Sequence, residues 1–285
     1  MKNMHIHNPK KTQGIIEQIQ SQWQDKLHVL SDFDRTLTKC YVDGVKVSSI
    51  ISLLRSENIL WDDYSTQAQE LYEHYYPIEV DQSLSIAQRS EQMQKWWSKH
   101  IDIIIAAGLQ VRDLKTIAQS KLLQLRDGSE LLLNTLHTHN IPLVIVSANG
   151  LWWDSIDLYL KAQWYRSHTN IHIVSNTLIW DDNGYAIGRK EPLIHTFNKS
   201  ETVVRYFPEI AEHIKPRKNV ILLWDSIGDA AMIDWFEYDN LLKIWFLNED
   251  EQDSMSEYEK YFDIILTGDH NMTPITNIIQ WIHSQ

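Results

Sequence analysis

Two carboxylates one residue apart, at the end of an apolar run, are the strongest chemical feature of this chain: Leu27-His28-Val29-Leu30-Ser31 leads into Asp32-Phe33-Asp34-Arg35-Thr36. Side chains alternate along extended backbone, so Asp32 and Asp34 start on one face while Phe33 turns into packing. One acid can attack phosphorus while the other carries the leaving-group proton. Two acids this close repel each other unless a cation joins them, which points to Mg2+. Asp-x-Asp-x-Thr also serves as an Asx-turn and helix cap, so other residues must decide between the two uses.

Three further segments bear on that choice. An apolar run ends in Val146-Ser147-Ala148-Asn149-Gly150, where a serine hydroxyl and the backbone N–H groups that follow it can hold phosphate oxygens at a strand-to-helix turn. Another ends in Leu223-Trp224-Asp225-Ser226-Ile227-Gly228-Asp229, with two acids four apart across a glycine turn that can face one hard cation. Lys199 supplies the positive charge an acidic site needs to retain a phosphate. Singly, each is as well read as a cap or a solvated charge; the ordered set is far more specific.

Elements must place these residues. Apolar runs at Lys26 to Asp32, Ile141 to Ser147, Ile171 to Val174, Asn219 to Asp225, Leu241 to Leu247 and Phe262 to Leu266 lack strict alternation, as strands covered on both faces do. Helical stretches at Leu131 to Asn140, Trp152 to Gln163, Glu201 to Ile214 and from Ala230 alternate with them, which predicts an α/β fold with an open, mostly parallel sheet. In parallel sheets the ligand crevice lies at the carboxyl ends of the strands, where Asp32, Ser147 and Asp225 fall. From about Ser48 to Leu125 the rhythm changes to helix-period apolar positions (Ile50, Ile51, Leu53, Leu54; Ile101, Ile104, Ile105; Leu114, Ile117, Leu122), the pattern of an inserted helical subdomain. A hairpin around Asp43-Gly44 leads into it, Arg126-Asp127-Gly128 leads out, and a second hairpin is expected around Asp182-Asn183-Gly184.

Bulk composition narrows the partners. A net charge of −12 repels nucleic-acid polymers and anionic membrane surfaces, so an anionic substrate needs a local positive trap or a metal ion. A single cysteine, Cys40, excludes an internal disulfide, and no run of apolar residues is long enough to span a bilayer. The expectation is a soluble cytoplasmic protein whose partner is a small molecule. The abundant tryptophans, including the pairs Trp96-Trp97 and Trp152-Trp153, are read first as packing aromatics.

The order Asp-x-Asp-x-Thr, Ser, Lys, Asp-x-x-x-Asp resembles the haloacid dehalogenase superfamily of phosphotransferases over nearly the whole chain. Four segments are similar to the cytosolic pyrimidine 5′-nucleotidase family of type III: Tyr75-Tyr76-Pro77-Ile78-Glu79-Val80-Asp81, Val174-Ser175-Asn176, Pro192 through Lys199, and Asn219 through Leu223. The resemblance implies a Rossmann-like core (1–47 and 126–285) with a helical cap (48–125). It implies Asp32 as nucleophile and Asp34 as general acid and base. Thr36, Ser147, Ala148 and Lys199 would lie on the phosphate, and Mg2+ at Asp32, Asp34, Asp225 and Asp229. In the cap, Glu79 would select the base while Trp96 or Trp97 stacks on it. The implied activity is Mg2+-dependent hydrolysis of nucleoside 5′-monophosphates, pyrimidine ones foremost, through an aspartyl phosphate.

The chain departs from that family at Trp224, which stands where a glycine is usual, at Ala230-Ala231, and in the segment after Ser147. These positions are expected to border the phosphate and nucleoside pockets, so they bear on substrate identity. Two other readings stand beside the first. One is a small-metabolite phosphatase, such as one acting on phosphoserine; the other is a catalytically silent relative that binds nucleotides or a protein partner.

Overall fold

A computed structural model describes residues 3–22, 24–47, 49–57, 59–60, 62–148, 152–163, 168–199, 207–226, 233, 236–249, 259 and 261–284. Its centre is a seven-stranded sheet in the order β1-β11-β10-β9-β2-β5-β6. The strands are β1 (Met4–His5), β2 (Leu27–Ser31), β5 (Leu143–Val146), β6 (Ile171–Val174), β9 (Asn219–Trp224), β10 (Asn240–Leu247) and β11 (Ile264–Thr267). All neighbours pair in parallel except β1, which runs antiparallel to β11 on the edge.

Alternate residues of each central strand enter opposite cores, which is why the sequence shows continuous apolar runs. Val29, Ile145, Ile221, Leu223 and Ile244 pack on one side, and Leu30, Val144, Leu222, Trp224 and Trp245 on the other. Trp224 is therefore corrected from a pocket border to a core residue: it is 1% exposed and packs against Phe262, with ring centroids 5.1 Å apart.

After the edge strand β1 the chain takes the middle of the sheet at β2, moves outward to β5 and β6, and returns on the other side of β2 at β9 and β10. This reversal leaves a crevice beside the carboxyl end of β2. The described residues of 50–118 carry four helices and no strand: α2 (Ile50–Ser56), α3 (Asp62–Val80), α4 (Ile86–Ala106) and α5 (Val111–Ala118). They follow the hairpin β3 (Tyr41–Val42) and β4 (Val45–Lys46), which turns at Asp43-Gly44 with both residues at positive φ. Capping boxes at Ser49/Ser52 and Ser85/Gln88 start α2 and α4. A second hairpin joins β7 (Leu178–Trp180) to β8 (Ala186–Arg189).

The remaining helices are α1 (Pro9–Ser21), α6 (Ser129–Thr138), α7 (Trp152–Ala162), α8 (Pro208–Ile214) and α9 (Thr273–Ile282). Residues 201–206 and, apart from Ile233, the helix expected from Ala230 lie outside the described residues. Among the described residues no helix is long and apolar enough to cross a membrane.

Candidate active site

The carboxyl ends of β2, β5 and β9 are neighbours, because β2 lies between the other two. Ser31 pairs with Leu223 on one side and Ile145 on the other, which sets Asp32, Asp225 and Ser147 just beyond the strand ends. The backbone N–H of Asp32 donates to the Leu223 carbonyl (3.0 Å), extending the sheet by one residue. Asp32 is 7% exposed, and its Oδ1 is 3.0 Å from Nζ of Lys199, itself 5% exposed. Phe33 is fully buried in the core, edge-on to Tyr159.

Asp34 is fixed by the first N–H of α2: Ile50 N donates to its Oδ1 at 2.9 Å. Burial, then repulsion from Asp32, pushes the Asp34 carboxyl up to about 8, against the pull of the Ile50 N–H. Asp225 is lifted to about 6, by burial above all, with Arg35 opposing the shift and Asp32 adding to it. Asp34 and Asp225 thus share with Asp32 a poorly solvated crevice in which burial disfavours their charged forms. A divalent cation would relieve that repulsion, so the donor set suits a hard metal. As the side chains stand, no three acids, histidines or cysteines among the described residues form a ready ion cage. Asp229, the fourth expected ligand, lies outside the described residues.

The loop after Asp34 is held from beneath by Arg126, a guanidinium buried to 2% exposure. It donates to the carbonyls of Thr36, Arg35 and His270 and to the side chains of Asn248 and Asp269. Asn248 also donates to the Arg35 carbonyl (3.0 Å) and reaches Asp225 (3.5 Å). Arg35 itself adopts φ +60°, a left-handed conformation uncommon outside glycine, and these bonds over-determine it. Thr36 differs from expectation: its hydroxyl is fully buried and donates to Asp225 (3.4 Å), so it supports a carboxylate and is not open to a phosphate.

Ser147 is buried just after β5, its N–H bonded to the Val174 carbonyl (2.9 Å), with half-buried Ala148 following. Lys199 is presented by a loop pinned to Asn176, whose side chain exchanges two hydrogen bonds with the backbone of Ile194 (2.7 and 3.0 Å). Asn198 closes the same loop on His195 and Leu193.

Glu79 lies in the last turn of α3 and accepts a hydrogen bond from Thr196 Oγ1 at 2.6 Å. Burial raises its pKa, with the Thr196 bond and Lys199 opposing. Beside it Tyr75, Met93 and Trp96 form a small core of their own, with Phe197 packed against it. Trp96 is stacked between Tyr75 (5.8 Å) and Trp97 (6.0 Å), and Arg89 lies over the Phe197 ring (4.7 Å). Trp96 is 9% exposed and its Nε1 has no hydrogen-bond partner among the described residues; Trp97 is half-buried.

The raised Asp34 pKa carries a stability consequence. A carboxyl whose folded pKa exceeds its unfolded value stabilises the fold at low pH, and that contribution is lost as pH rises through the folded value. Buried His28, His100 and His195, each lowered to about 4 by burial, act oppositely below their ordinary range and are silent above neutrality. In chelator, raising pH from about 7 to about 9 should therefore cost the wild type about 1 kcal/mol, or roughly 2 °C in Tm. Cys40, raised mainly by burial, contributes with the same sign. The diagnostic is thus the difference: Asp34→Asn should flatten the profile in thermal denaturation. Parallel profiles would contradict a protonated Asp34.

Comparison with known proteins identifies the family and the fold. Residues 35–283 match the family model described as pyrimidine 5′-nucleotidase (UMPH-1). The chain is 33% identical over 285 residues to a 7-methylguanosine phosphate-specific 5′-nucleotidase of Rattus norvegicus, covering 98% of this chain and 92% of the relative. With 7-methylguanosine phosphate-specific 5′-nucleotidase A of Xenopus laevis it shares 32% identity, covering 98% and 95%. The crystal structure of cytosolic 5′-nucleotidase IIIB bound to cytidine superposes with a TM-score of 0.87 at 29% identity, over all of this chain and 96% of that one. A phosphoserine phosphohydrolase-like protein from Francisella tularensis shares the fold alone, at 16% identity and a TM-score of 0.55, covering 88% of this chain and 99% of that one. The chain belongs to the pyrimidine 5′-nucleotidase (UMPH-1) family and is a 5′-nucleotidase, a phosphoric monoester hydrolase of haloacid dehalogenase-like fold.

Proposed function

We propose that this enzyme uses Mg2+ to hydrolyse the 5′-monophosphates of pyrimidine nucleosides and of 7-methylguanosine, with Asp32 as nucleophile. The carrying observation is the unequal environment of two adjacent acids: Asp32 is paired with Lys199, while Asp34 holds its proton up to about pH 8. A carboxylate paired with a lysine and a buried neighbour that favours its protonated form suit the roles of nucleophile and acid. Asp32 attacks phosphorus in line, and Asp34 protonates the departing 5′-oxygen, leaving an aspartyl phosphate. Asp34, now a carboxylate, takes a proton from the water that attacks this intermediate. Lys199, the Ser147 hydroxyl and the Ala148 N–H offset charge on the equatorial oxygens. Asp32, Asp34, Asp225 and Asp229 would hold the metal, which supplies further charge neutralisation at the phosphoryl group.

In this reading the helical segment 48–125 is the cap that meets the nucleoside. Glu79 accepts hydrogen bonds from a base edge that presents N–H donors, which cytosine and 7-methylguanine both do. The positive charge of 7-methylguanine additionally favours a carboxylate and a tryptophan face. Phosphate release should be measured with Mg2+ and with chelator on cytidine, uridine and 7-methylguanosine monophosphates, phosphoserine and nitrophenyl phosphate. Activity should vanish in chelator, return with Mg2+ and favour the nucleotides. Glu79→Ala should lower kcat/KM for the preferred nucleotide by roughly 10- to 100-fold, the loss of one buried hydrogen-bonding partner, and leave nitrophenyl phosphate nearly unchanged. Equal losses on both would remove Glu79 from base recognition, and a preference for phosphoserine would favour the metabolite-phosphatase reading.

A further inference from the structure

Arg35 is a second cation in the crevice, and the mechanism gives it no task. Its Nε lies 3.4 Å from Oδ2 of Asp225, yet this buried Nε makes no hydrogen bond there. Its Nη2 does donate a hydrogen bond, at 3.2 Å, to Glu249 in the loop after β10. Glu249 is shared: Lys46 of the hairpin leading into the helical segment contacts the same oxygen at 2.6 Å. The backbone of Arg35 is immobilised by Arg126, Asn248 and Thr38. Only the side chain can redistribute between the two acids, so the guanidinium has a charge contact with Asp225 and a directional bond to Glu249.

We infer that Arg35 is a built-in counter-ion of Asp225 that competes with the divalent cation, and that Glu249 is the group holding it when the cation binds. The physical reason is charge balance. Without metal, the carboxylates of Asp32 and Asp225 face the cations Lys199 and Arg35; a divalent ion added to the same oxygens repels a guanidinium beside Asp225. Lys199 keeps its pairing with Asp32 on the phosphate side, and Arg126 is committed to Asp269 and to backbone carbonyls. Arg35 has an alternative partner, Glu249, already in contact. Glu249 therefore acts as a positioning residue: the more firmly it holds Arg35, the less the metal has to displace. The inference rests on the reading of Asp225 as a metal ligand.

The test is calorimetric titration of metal-stripped full-length protein with MgCl2, which needs no turnover. Arg35→Gln should tighten Mg2+ binding about tenfold, the equivalent of one pKa unit of charge interaction. Arg35→Lys, which retains the charge, should stay within about threefold of wild type. Glu249→Gln should weaken binding several-fold, and this effect should vanish in the Arg35→Gln background, because Glu249 acts through Arg35. Unchanged or weaker Mg2+ binding in Arg35→Gln overturns the inference, as does a Glu249→Gln effect that persists in the double variant. Loss of inorganic phosphate binding in Arg35→Gln at constant Mg2+ affinity would make Arg35 an anion ligand instead. Asp225→Asn reports separately on the underlying reading: Mg2+ binding undiminished in that variant refutes the metal role of Asp225 itself.

Discussion

Asp32→Asn is expected to lower kcat on any phosphomonoester by about four orders of magnitude or more, because the amide keeps the size of the side chain but loses the negative charge that makes the carboxylate a nucleophile. The fold should survive. Removing the Asp32 charge weakens its buried pair with Lys199, which costs stability. The same change relieves Asp34 and Asp225, both of which are pushed up by Asp32. These effects oppose one another, so Tm should move by only a few degrees. Phosphate-release kinetics on the pure variant and thermal denaturation check the two halves. Residual kcat within a hundredfold of wild type would remove Asp32 from the nucleophilic role.

For Asp34→Asn the expected loss depends on the leaving group. With a nucleotide, whose 5′-oxygen must be protonated, kcat should fall about a thousandfold. With nitrophenyl phosphate the first step needs no acid, so the variant should release a rapid stoichiometric burst of nitrophenol. Slow turnover then follows, because no base activates the water for the second step. Stopped-flow absorbance resolves the two phases. An equal loss on both substrates with no burst would count against Asp34 as the proton carrier.

Much of this arrangement is legible in the chain because it is built from local signals. Parallel strands read as unbroken apolar runs, so β2, β5, β6, β9, β10 and β11 are found to within one or two residues at most ends. Asp-Gly and Asn-Gly mark both hairpins. Strand ends in a parallel sheet lie on the ligand side, which is enough to gather Asp32, Ser147 and Asp225. The chain termini are not legible in this way: β1 is two residues long, and neither α1 nor α9 borders a motif. Pro77 breaks the helical pattern of α3 near its end, yet the helix continues through it to Val80 and thereby carries Glu79.

Long-range polar partners leave no local trace. Thr196 meets Glu79 across more than a hundred residues of sequence, and Arg126, which reads only as the way out of the helical segment, holds the carbonyls of Arg35 and Thr36. A buried arginine is nevertheless a foreseeable partner for carbonyls, since every one of its donors needs an acceptor. Thr36 and Trp224 show the opposite limit. Both stand beside site residues in sequence, but side-chain direction turns one toward Asp225 and the other into the core behind the sheet.

The central claim is a covalent bond between phosphorus and Asp32. It is tested most directly by mixing the enzyme with Mg2+ and a nucleoside monophosphate bearing radiolabelled phosphate. The reaction is quenched in acid within the first turnover, the acyl phosphate is reduced with borohydride, and the modified peptide is identified by mass spectrometry. The mechanism requires label on the protein at early times and homoserine at position 32, absent from Asp32→Asn. Release of phosphate in the first turnover with no protein-bound label, or reduction at Asp34 or Asp225 instead, would contradict it.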